Sequence, residues 1–63
     1  MKIKELREMH EQELERLLTD SVEELHNLRF QQASDQIENP GRIRRVRRSI
    51  ARIRTIMRER RNS

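Results

Sequence analysis

The sequence predicts an all-α fold: a long antiparallel two-helix hairpin with a short N-terminal helical turn. Three observations predict it. Two stretches, Leu14 to Leu28 and Ile43 to Met57, carry apolar residues three and four apart, the spacing of one helix face. Between them Asn39-Pro40-Gly41 spells a helix start, since asparagine suits the N-cap and proline loses nothing at the first helical position. The handful of residues left for the connection suits two antiparallel neighbours. Sixty-three residues make one domain at most. Its expected parts are a short helix over about 2–8, a helix over about 10–34, a loop over about 35–39 and a helix over about 40–60.

In the first piece Ile3, Leu6 and Met9 lie at helical spacing, enough for a turn or two. Such a piece does not persist alone, because nucleation is costly, so it is expected to fold back over the ends of the longer helices. His10 is a poor N-cap by type, although the acidic Glu11-Gln12-Glu13 suits the positive start of a helix. The stripe that follows is Leu14, Leu17, Leu18, Val22, Leu25 and Leu28, with Ser21 and Gln32 on the same side. Ser21 and Glu24 also spell a capping box, where a helix could restart. The stripe keeps phase across Ser21, which favours one continuous helix over a kink. Phe30, the only aromatic residue, falls about 160° from Leu14 on a helical projection. It is either a lone exposed apolar residue or a contact with a neighbouring molecule, and the second reading is preferred because so small a chain needs a partner.

Ser34-Asp35-Gln36-Ile37-Glu38 breaks the pattern, and the second helix then carries Ile43, Val46, Ile50, Ile53 and Met57 on a narrow stripe. Arg60, Arg61, Asn62 and Ser63 are expected to fray. Around the stripe stand Arg42, Arg44, Arg45, Arg47, Arg48, Arg52, Arg54, Arg58, Arg60 and Arg61, opposed only by Glu59. Residues 1–40 carry a net charge of −5 and residues 41–63 one of +9, which recovers the +4 of the whole chain. Solvated helix faces usually mix signs, with acids four residues from bases. Nearly unmixed arginine repels itself unless a polyanion supplies the counter-charge. Arg44, Arg45, Arg48 and Arg52 project roughly opposite the apolar stripe, and Arg47, Arg54 and Arg58 flank its edges. These arginines are the candidate nucleic-acid-binding residues, since the planar guanidinium fork binds phosphate oxygens bidentately and sheds water more easily than an ammonium.

The same residues exclude other classes. There is no cysteine, which fits a reducing compartment, and His10 and His26 cannot by themselves hold zinc. Glu23 and Glu24 are adjacent and diverge by about 100° on a helix, so they do not form an acid/base pair. Gly41 is the only glycine, which rules out a glycine-rich phosphate loop, and two helices provide no concave pocket. Neither an enzyme nor a cofactor is expected. Met1-Lys2-Ile3-Lys4 is basic but no apolar run follows it, so neither a secretory signal nor a membrane span is expected and the cytosol is the simplest location. The burial open to so short a chain, with neither disulfide nor metal, falls short of its ordering cost. A partner surface is expected to complete the fold.

Laid out in order, the chain resembles the large-subunit ribosomal protein twenty-nine family of bacterial type. The resemblance rests on Lys2-Ile3-Lys4-Glu5-Leu6-Arg7, on Glu24-Leu25-His26-Asn27-Leu28-Arg29-Phe30-Gln31 with Ala33, and above all on Arg42-Ile43-Arg44-Arg45-Val46-Arg47-Arg48-Ser49-Ile50-Ala51-Arg52-Ile53 continuing to Thr55. It covers essentially the whole chain. It implies a helical hairpin bound to large-subunit rRNA at the rim of the polypeptide exit tunnel. Ribosomal protein twenty-three would stand beside it, and nascent-chain factors such as trigger factor and signal recognition particle would dock nearby. Arg47, Arg48 and Arg52 match the family's basic motif. The chain departs from the family at Asp35, where glycine is frequent, and at His10, where serine or threonine is frequent.

Two other functions compete with this reading. A coiled-coil DNA-binding dimer would place its basic region ahead of the zipper on one continuing helix, whereas here the arginines share turns with the apolar stripe. An amphipathic helix on a membrane surface or an acidic protein would want tryptophan or phenylalanine in a broader stripe.

Overall fold

The computed structural model describes residues 2–36 and 39–62; Ile37 and Glu38 of the expected loop, and Ser63 of the expected frayed end, lie outside the described residues. Three helices follow in order, α1 (Ile3–Glu8), α2 (Glu11–Ala33) and α3 (Gly41–Asn62). The molecule is a rod of 43 × 17 × 16 Å. α2 and α3 lie antiparallel. Leu14 near the start of α2 packs with Ile53 and Ile56 near the end of α3, and Leu28 near the end of α2 packs with Val46 and Ile50 near the start of α3. No strand interrupts the described residues.

Each helix end follows from local chemistry. At α3 the Asn39 side chain accepts a hydrogen bond from the Gly41 N–H at 3.1 Å, satisfying one of the donors a helix start leaves open. α2 begins after His10 with no side-chain cap, and only the His10 carbonyl serves, accepting from the Leu14 N–H at 3.0 Å. α2 then runs through Ser21 without a break. Its end is a full Schellman motif. The Gln36 N–H bonds the Gln31 carbonyl at 2.8 Å, and the Asp35 N–H bonds the Gln32 carbonyl at 3.2 Å. Asp35 makes this possible by adopting φ 57°, the left-handed conformation that glycine would enter without steric cost.

α1 folds back over the far end of the hairpin and buries Leu6 completely against Leu14, Ile53 and Ile56. This widens the apolar sector of α3 beyond the narrow stripe its periodicity suggests. Ile56, about 120° from Ile50, is buried under α1, while Met57 at the stripe's expected end and Ile43 at its start are only half-buried. Gln32, expected on the buried side of α2, is exposed, because it lies in the last turn beyond the packed Leu28. The C-terminal end also departs from expectation. α3 stays helical to Asn62, and the Arg60 guanidinium donates to the Arg7 carbonyl at 3.0 Å and the Met9 carbonyl at 2.6 Å. Arg60 therefore closes the free carbonyls at the end of α1, and Arg7 meets Glu59 at 3.7 Å beside it. Leu6, the Arg60 guanidinium and the exposed Arg7–Glu59 pair all tie this helix of six residues to α3.

Candidate nucleic-acid interface

The α3 cap and the apolar packing against α2 fix the rotation of α3, and that rotation decides where its arginines point. Arg44, Arg45, Arg47, Arg48, Arg52, Arg54 and Arg58 are all exposed. They do not form one patch. Measured around α3 from Ile50, Arg44, Arg47, Arg54 and Arg58 fall within about 120° on one side, with Arg48 just beyond them. Arg45 and Arg52 lie past the crest on the other side, where α1 packs. Arg44, Arg47 and Arg48 line one shallow groove with Ala51. Arg54 and Arg58 line a second hollow, together with Leu18 and Met57. Arg52 instead shares a hollow with Ile3, Arg7 and Glu59.

Arg61 also joins the hollow of Arg54 and Arg58 and was not among the residues singled out from sequence. Its place was readable, since it stands seven residues after Arg54 and three after Arg58 on a helix that continues to Asn62. With it, the ridge from Arg44 to Arg61 is about 25 Å long at 1.5 Å per residue.

The other arginines of α3 serve the fold. Arg42 forms an ion pair with Glu24, which ties the start of α3 to the middle of α2. That pairing offsets the unfavourable placing of a cation in the first turn of a helix. Arg60 is part-buried against α1, as described above. Arg42 and Arg60 share one angular position on α3, on the side that faces Glu24 and α1. The ridge side is thus left to arginines with no carboxylate lining either of its hollows. Phe30 stands 72% exposed on the outer face of α2, away from both the core and the ridge. Among the described residues no cluster of His, Asp or Glu could hold a metal ion, and no helix is long and apolar enough to cross a membrane.

A small helical hairpin with one guanidinium ridge and an otherwise mixed surface belongs to the class of small all-α proteins with a cationic face. The comparisons with known proteins make the class particular. The family model described as Ribosomal L29 protein matches residues 4–60. The chain is 60% identical over 60 residues to the large ribosomal subunit protein uL29 of Natranaerobius thermophilus, covering 95% of this chain and 92% of that protein. The protein of the same name from Desulforudis audaxviator is 55% identical over 60 residues, covering 95% and 90%. That from Caldicellulosiruptor bescii is 60% identical over 60 residues, covering 95% and 83%. The chain belongs to the ribosomal L29 protein family, whose members are structural proteins and not enzymes.

Proposed function

We propose that the chain is a structural constituent of the large ribosomal subunit, working in the cytoplasm, that holds rRNA through arginine–phosphate contacts along α3. Arg44, Arg45, Arg47, Arg48, Arg52, Arg54 and Arg58 are the proposed contacts, with Arg44, Arg47, Arg48, Arg54 and Arg58 on the leading side. The single observation that carries this reading is the ridge itself, a line of exposed guanidiniums whose hollows contain no acid of the chain's own. The relatives named as large ribosomal subunit proteins supply the partner.

The mechanism follows from the geometry of RNA. An A-form helix hides its base edges in a deep, narrow major groove and displays phosphates and 2′-hydroxyls. A rigid rod laid along it reaches the backbone and neutralises phosphates, while its buried leucines and isoleucines keep the guanidiniums in register. The resemblance to the family supports a place near the polypeptide exit tunnel, beside ribosomal protein twenty-three and within reach of nascent-chain factors. Phe30, turned away from the ridge, is the proposed contact with a protein neighbour.

Fractionation of cells expressing the tagged chain tests the assignment. The chain should co-sediment with large subunits and leave them at high salt. Recovery only in the free fraction at low salt would overturn the proposal.

A further inference from the structure

The ridge changes character along its length. Upstream, Arg44, Arg47 and Arg48 surround only Ala51, a surface that offers charge and little else. Downstream, Arg54, Arg58 and Arg61 rim a hollow of about 250 Å³ whose floor is Leu18 and Met57. Both floor residues are half-buried, and no described residue of α1 lines the hollow. No carboxylate lines the hollow. The hollow beside α1 has Glu59 among its arginines, and the one at the loop end has Glu24 beside Arg42. Of these hollows among the described residues, the downstream one alone combines apolar floor, cationic rim and no internal counter-charge.

We infer that this hollow receives a single unpaired nucleotide of RNA, its base lying against Leu18 and Met57 and its flanking phosphates on Arg54, Arg58 and Arg61. The inference rests on the RNA-binding reading above and goes beyond its backbone contacts. The space is below the ~300–1,000 Å³ of a drug-sized site, so the occupant is a small group and not a helix. It must present an apolar face and carry anions on its flanks. An unstacked nucleotide does both, whereas a paired base has its faces covered by its neighbours. The site chemistry fits a ring: guanidinium planes stack on bases, and a thioether is a soft, polarizable contact for an aromatic edge. No base edge is read, so the preference is for an unpaired base of any type.

The test uses the full chain and three short RNA hairpins: fully paired, carrying one bulged 2-aminopurine, and carrying an abasic linker at the same place. The bulged hairpin should bind about tenfold tighter than the paired one, and the abasic hairpin should lose that gain. The fluorescence of 2-aminopurine should rise on binding as the base leaves its stack. Met57→Ala should abolish the preference while keeping affinity for the paired hairpin within about threefold, since Met57 carries no charge and is not among the phosphate contacts; Met57→Leu, which keeps the floor apolar, should retain most of the preference. Equal affinity for bulged and paired hairpins overturns the nucleotide site and leaves the ridge standing. Binding to neither overturns the ridge and this inference together.

Discussion

Asp35 and His10 show how single residues set the margins of this fold. Asp35 holds φ 57° at the turn that closes α2, a conformation that costs an L-residue roughly 1–2 kcal/mol and glycine nothing in steric terms. Part of that gain is returned, because glycine also loosens the unfolded chain. Asp35→Gly should therefore stabilise the protein by about 0.5–1 kcal/mol, read as a rise of several degrees in a thermal melt. A lower melting temperature would show that the Asp35 carboxylate contributes more than the backbone loses. His10 leaves the first N–H groups of α2 without a side-chain acceptor. His10→Ser should supply one and add about 0.5–1 kcal/mol, seen as a matching upward shift in the denaturant midpoint. Both weaknesses were visible in the residue types. What the types could not tell was which turn Asp35 would adopt, since that depends on how the chain re-enters at Asn39.

At the scale of the helices, the hairpin was legible and the role of α1 only partly so. Periodicity announces α2 and α3 because each buries a stripe against one partner along its length. The apolar face of α3 is broader than its stripe because a third helix packs on it, and the residue that reveals this is Ile56, out of phase with Ile50 and yet buried. Arg60 escaped a sequence reading for a related reason. Its partners, the Arg7 and Met9 carbonyls, lie 53 and 51 residues away, and backbone acceptors leave no mark in a sequence. The candidate site suffered the same limit: the arginines were evident, but their division into ridge and clamp depends on which side α1 occupies. Arg60→Ala should loosen α1 alone. Amide exchange at residues 5–9 should speed up at least tenfold, while the α2–α3 core keeps its protection. A uniform loss of protection would mean that the clamp supports the whole rod. α3 should also separate from the other two helices in binding. Arg47→Glu with Arg54→Glu should weaken RNA affinity well over tenfold, whereas Arg7→Glu with Arg16→Glu should change it less than about threefold, measured by filter binding at one fixed salt concentration.

For the whole molecule, the division of charge is the property that ties fold to function. A net −5 over residues 1–40 and +9 over residues 41–63 would be merely self-compensating if the two helices paired their charges along the seam. Glu24 with Arg42 is such a pair, while Arg7 with Glu59 joins α1 to the other end of α3 with the signs reversed, and both pairs are exposed. Exposed pairs of this kind are worth at most about 1 kcal/mol, so they do not account for retaining so many arginines. Much of the remaining positive charge faces outward along the ridge of Arg44, Arg47, Arg48, Arg54, Arg58 and Arg61, where mobile counter-ions screen it in the free protein. Binding RNA exchanges them, and the counter-ions condensed on the RNA, for direct phosphate contacts. Each phosphate neutralised lowers the slope of log affinity against log salt by about 0.7 for a single strand and 0.9 for a duplex. With about six arginines engaged, the isolated protein and an rRNA fragment should give a slope near −4 to −5. Removing Arg54 and Arg58 together should bring it about 1.5 closer to zero. A slope near zero for the unaltered chain would mean that association is carried by something other than the guanidiniums, and the ridge would then have to be explained as a surface for protein.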